Sequence, residues 1–148
     1  MFHLNEHIWI GGSQDERSAD LGAAGIGAIL NVAQDLQCTR GWGSGIEYAQ
    51  VGIVDGPGNT PVTYHAAVLT LASLLKRHHQ VLVCCHDGCR SMAVVLAYMQ
   101  LMASRGWDGW IEIIKERVDE ALPIPNNIHR VAFDGMNWGI LGDILKKE

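Results

Sequence analysis

Basic residues are in deficit in this chain: 11 Lys and Arg stand against 16 Asp and Glu, a net charge of −5 with a pI near 5.7. Without a basic face there is no electrostatic footprint for nucleic acid, and that class of partner is excluded. No uncharged apolar run approaches the ~20 residues of a membrane span, so no membrane partner is expected. The opening Met1-Phe2-His3-Leu4-Asn5-Glu6 has neither the basic region nor the apolar region of a secretory signal. The closing Leu145-Lys146-Lys147-Glu148 has no prenylation cysteine. These absences lead to the expectation of a soluble, cytoplasmic, monomeric protein. Repeats and low-complexity tracts are missing too, and no linker is long enough to split the 148 residues. One domain over 1–148, with chain enough for one core, is the expectation.

Cysteine is scarce but concentrated. Of four, Cys84, Cys85 and Cys89 fall within six positions. Adjacent cysteines pair poorly with each other, and the chain is not a short disulfide scaffold. The cluster therefore means reactivity, metal, or buried thiols packing as small apolar residues. A zinc site on Cys85, His86 and Cys89 lacks a fourth ligand. No metal and no cofactor are expected.

Strands are expected at Ile8–Ile10, Ala28–Val32, Ile46–Val51 and Gln80–Val83, with a weak helix within Ser13–Ala24 and a Gly-rich loop at Gly41–Gly45. Helices are expected over Pro61–Arg77, Arg90 to about Arg105, Gly109–Glu120 and Asn127–Trp138. Strands alternating with helices indicate an α/β sandwich with a largely parallel sheet, whose ligands sit beyond the carboxyl ends of the strands. The cysteines lie at one such end.

The segment Val81-Leu82-Val83-Cys84-Cys85-His86-Asp87-Gly88-Cys89-Arg90-Ser91 runs from a buried strand through a short loop into a helix. The first N–H groups of that helix have no intrahelical partner and form a cradle for an oxyanion. A thiol at its base is favoured as thiolate, and an arginine at the helix start grips an anion with a bidentate fork. Nucleophile, anion nest and arginine together suit thiol-based phosphoryl transfer.

Five residues separate Cys84 from Arg90, and Ser91 follows. This resembles the Cys-x5-Arg-Ser loop of the protein tyrosine phosphatases, in particular their dual-specificity branch. His7–Ser13 resembles that family's opening strand, Gly25–Ala33 its Gly-Ile-Thr-x-Ile-Leu-Asn-Val segment, and Pro125-Asn126 its C-terminal Pro-Asn element. The resemblance implies a three-layer sandwich of the tyrosine-phosphatase type, with a mostly parallel central sheet and helices on both faces. It implies hydrolysis of phosphorylated proteins or small phosphoesters through a phosphocysteine. It also implies a general acid about thirty positions before the nucleophile, where Asp55 stands; Asp35 is the alternative. The phosphate would be bound by Cys85, His86, Asp87, Gly88, Cys89 and Arg90, with Asp87 offering its N–H and turning its carboxylate outward.

The loop departs from the family pattern, which places Gly three residues after the nucleophile. Gly88 keeps that place relative to Cys85, but only four residues then separate Cys85 from Arg90. Counted back from Arg90, Cys84 is the nucleophile and is preferred; counted forward from the strand, Cys85 is. The shorter register is similar to the Cys-x-x-Gly-x-Arg-Ser loop of rhodanese-like sulfurtransferases, which would make Cys85 a persulfide carrier. A phosphate-binding module without turnover is the third reading. Cys89 reads either as a disulfide partner for Cys84 or Cys85 or as an ordinary small residue. His3, His7, His65 and His129 read as surface or core fillers.

Overall fold

In the computed structural model, residues 2–13, 21–36, 45–117, 125 and 127–147 are described. Five strands, β1 (Phe2–His3), β2 (Ile8–Gly11), β3 (Ala28–Ala33), β4 (Glu47–Ile53) and β5 (Val81–Cys84), form one sheet in the order β1-β2-β5-β3-β4. β1 is antiparallel to β2, and every other pairing is parallel. Five helices, α1 (Pro61–Arg77), α2 (Cys89–Met102), α3 (Gly106–Arg117), α4 (Arg130–Asp134) and α5 (Trp138–Lys147), flank it. This is the mixed α/β sandwich that the alternation of strands and helices predicts.

β3 and β5 are buried along their whole length, as central parallel strands covered on both faces must be. Alternation divides their side chains. Ala28, Leu30, Val81 and Val83 join the large core, which α1 and α2 cover, while Ile29, Leu82 and Cys84 join a smaller cluster with Leu21 and Ile26 on the other face. The helix expected within Ser13–Ala24 lies mostly outside the described residues, as do most of the Gly41–Gly45 loop, the last positions of Gly109–Glu120, and Asn126.

α1 begins with Pro at its first position, where the missing N–H costs nothing, and ends with Lys76 and Arg77 against the helix dipole. α2 stops at Met102, short of Arg105, because the Gln100 Oε1 accepts N–H groups from Arg105, Gly106 and the Trp110 ring. That clamp folds the chain into α3 three residues before the expected start. The single helix expected over Asn127–Trp138 is instead a 3-10 turn (Asn127–His129), α4, and a new helix α5. Gly135 closes α4, and Asn137 Oδ1 accepts the Ile140 N–H at 3.0 Å and starts α5.

The first residue of β4 is tied to the end of α1: Glu47 accepts from Arg77 Nη2 at 2.6 Å and lies 2.7 Å from His78 Nε2. Arg77 first, then His78, holds the Glu47 carboxyl down at about 2, against 4.5 for the free group. A carboxyl whose folded pKa is depressed stabilises the fold above its unfolded pKa and loses that contribution as pH falls toward its folded one. Because the pair is solvent-exposed, Glu47→Gln is expected to cost only ~0.5–1 kcal/mol at pH 7. In urea unfolding, the difference between the two proteins should shrink between pH 4.5 and 2 and be gone below that. A difference that persists at the acid end would contradict the ion-pair account.

Candidate active site

The carboxyl ends of β2, β5 and β3 converge where β5 gives way to the loop. Gly11 pairs with Cys84 across β2 and β5, and Asn31 pairs with Cys84 across β3 and β5. The next residue, Cys85, is anchored through its N–H to Gly11 O at 3.3 Å. Gly88, with φ +93°, takes the left-handed conformation that turns the chain into α2, which glycine adopts without steric cost. Gly12 packs against the loop, and Ser13 N–H donates to His86 O at 3.1 Å. A Cβ on Gly12 would lie 2.7 Å from that same oxygen.

The two adjacent cysteines are parted by the strand's alternation. Cys84 is the last residue of β5 and packs with Leu21, Ile26, Ile29 and Leu82, on the face away from α2. Cys85 belongs to the large core, on the α2 side. Its sulfur accepts the Gly88 N–H at 3.0 Å and lies 3.5 Å from both the N and the Oγ of Ser91. The Ser91 hydroxyl is itself fixed by donation to Gly88 O at 2.9 Å. The Cys-x5-Arg spacing therefore starts at a thiol on the face away from α2, while the thiol that faces the helix start has four residues between it and Arg90.

Arg90, in the first turn of α2, is 1% exposed. Its Nη1 donates to Ile53 O at 2.7 Å and to Asp35 Oδ1 at 2.9 Å, while Nε and Nη2 have no hydrogen-bond partner among the described residues. Two buried donors left open at the start of α2 are an arrangement for an anion. Asp35 also stands 3.4 Å from His86 Nε2, and Arg90 holds its carboxyl below the ordinary value. Asp35 is positioned by Asn31, which accepts the Ala33 N–H and donates to Leu36 O at 2.7 Å across the turn.

Asp55 follows β4 on an exposed loop, stapled by Asn59 to the backbone of Val54 and Gly56. The loop brings it close enough to act electrostatically on both Cys89 and His129. Asp87 is exposed, but its Oδ1 turns back, accepting the Cys89 N–H at 3.0 Å and lying 3.8 Å from Cys85 Sγ. Burial first, and then Asp87, pushes the Cys89 thiol up to about 11, so it stays protonated near neutrality.

One residue of this region is absent from the candidates named in the sequence. His129 is buried and hydrogen-bonded through Nδ1 to the hydroxyl of Tyr64, also buried. Burial raises Tyr64 and lowers His129, so a neutral imidazole accepts from the phenol; its Nε2 has no partner among the described residues. Asp55 and Asp87 oppose that lowering and Arg90 adds to it. Its sequence signal was slight: a histidine just past Pro125.

Gly12→Ala tests whether the loop depends on that close approach. The new methyl must displace backbone, not a flexible side chain, so a loss of about 1–3 kcal/mol in urea unfolding is expected. An unchanged midpoint would show that the approach is not required.

No family model matches this chain, and no curated protein does. Solved structures do. The chain superposes on the crystal structure of DUSP15 with a TM-score of 0.78 at 20% identity, over 98% of this chain and 94% of that one. Human DUSP28 follows with 0.72 at 16% identity, covering 97% and 96%. OH1 from the Orf virus, a tyrosine phosphatase, gives 0.63 at 18% identity, covering 88% and 82%. Over nearly its whole length, this chain has the fold of the dual-specificity and tyrosine phosphatases.

Proposed function

We propose that this chain is a cysteine-dependent phosphatase that hydrolyses phosphate monoesters, with Cys85 rather than Cys84 as nucleophile. The observation that carries the reading is the pairing of the Cys85 thiol, bonded by Gly88 N–H at 3.0 Å, with two open donors on the buried Arg90. The phosphatase fold supports it and does not favour the sulfurtransferase or the non-catalytic alternatives.

In this mechanism the Cys85 thiolate attacks phosphorus as the bond to the leaving oxygen breaks. Arg90 Nε and Nη2, with N–H groups of the loop, take up the charge on the equatorial oxygens. The Asp55 carboxyl gives its proton to the leaving oxygen. Water then attacks the phosphocysteine, Asp55 accepts a proton from it, and the S–P bond breaks. The Ser91 N–H, 3.5 Å from the sulfur, stabilises the departing thiolate. Asp35 does not suit the acid role, because Arg90 holds its carboxyl down and so favours the ionised form when the reaction needs the protonated one.

Turnover of p-nitrophenyl phosphate tests the assignment. Cys85→Ser is expected to lose at least ~10³-fold in kcat, as removal of a nucleophile does. Cys84→Ala should keep most of its turnover and lose mainly stability, about 1 kcal/mol. Asp55→Asn should lose ~10²–10⁴-fold with esters of poor leaving groups and less with p-nitrophenol, the mark of a lost general acid. Loss in Cys84→Ala alone would return the nucleophile to Cys84. Absence of turnover in the unaltered protein would leave a phosphate-binding module.

A further inference from the structure

Among the described residues, an entering phosphoryl group would meet little positive charge at the loop. Arg90 is the buried cation at the loop, and Asp35 already occupies its Nη1 at 2.9 Å. Of the other arginines with described side chains, Arg77 is paired with Glu47 and Arg130 with Asp108 and Asp134, and Arg105 stacks over the Trp110 ring. Against this, the Asp87 carboxylate sits inside the cradle, on the Cys89 N–H at 3.0 Å and 3.8 Å from the Cys85 sulfur. It holds a helix-start donor that an oxyanion would otherwise use. Asp87 and Asp35 together outnumber the guanidinium, before Asp55 is added.

Resting on the phosphatase reading above, we propose that Asp87, assisted by Asp35, makes this site selective for phosphoesters flanked by cationic groups. The two open donors of Arg90 supply the specific grip on the phosphoryl oxygens, and cationic groups on the substrate offset the carboxylates. A phosphopeptide with lysine or arginine beside the phosphorylated residue brings that charge. A polyphosphorylated headgroup or an acidic phosphopeptide adds to the repulsion. The same carboxylate weakens the hold on the phosphate product and speeds its release. One unit charge at this range, partly screened by solvent, is worth on the order of tenfold in an equilibrium constant at low salt.

Two phosphotyrosyl peptides of equal length, one flanked by arginine and one by glutamate, are compared by kcat/KM at low and high salt. Asp87→Asn removes the charge yet keeps an oxygen that can accept the Cys89 N–H, so the helix start is preserved. Asp143→Asn, on the exposed side of α5, makes the same change in net charge away from the loop. The unaltered protein should favour the arginine peptide about tenfold at low salt, and the preference should fall at high salt. Asp87→Asn should narrow it to about threefold or less and tighten tungstate binding, while Asp143→Asn leaves both unchanged. Equal rates on the two peptides, or equal narrowing by Asp143→Asn, would overturn the proposal. If neither peptide is turned over, the phosphatase reading fails. Tungstate binding no tighter in Asp87→Asn than in the unaltered protein would then overturn this proposal as well.

Discussion

The guanidinium of Arg90 ties the strand ends together around the loop, and most of the site depends on where it is held. One nitrogen reaches the last carbonyl of β4 and the carboxylate in the turn after β3, so both segments are fixed relative to the first turn of α2. A buried cation is stable only with partners, and the desolvation of Arg90 is offset by Ile53 O and Asp35. The same bonds orient the remaining two nitrogens and leave them open. Asn31 extends this frame by shaping the turn that presents Asp35. A strand end, a turn and a helix start are thus coupled through one side chain.

The second constraint is the period of two along β5. Val81, Val83 and Cys85 face the helices, and Leu82 and Cys84 face the opposite cluster. A thiol must be on the helix side to meet the N–H groups of α2 and the Ser91 hydroxyl, and only Cys85 is. The cost is a gap of four residues to Arg90 where the resemblance calls for five. Gly88 turns the chain into α2 through its positive φ, and Gly12 allows β2 to close on the loop.

Much of this was readable from residue patterns. The parallel strands stand out as short apolar runs, and α1 is delimited by Pro61 and the basic pair Lys76-Arg77. The loop was legible because Gly, Cys, Arg and Ser recur there at meaningful spacing. Which of Cys84 and Cys85 faces the helices was legible in principle from the alternation that starts at Val81, whereas counting back from Arg90 favours Cys84. Other features depend on distant partners. β1 is two residues long, the break at Gly135–Asn137 rests on local capping, and the burial of His129 requires Tyr64 from α1. The Asp35–Arg90 bond spans 55 positions, and no local pattern encodes it.

The most direct measurement is to trap the covalent intermediate. The protein is mixed rapidly with a phosphate monoester, quenched with acid, and digested, and the peptide containing both adjacent cysteines is fragmented to locate the added group. A phosphoryl increment on Cys85 is the predicted result. The increment on Cys84, or a persulfide on Cys85 formed from thiosulfate with no phosphoryl adduct from any ester, would contradict the account.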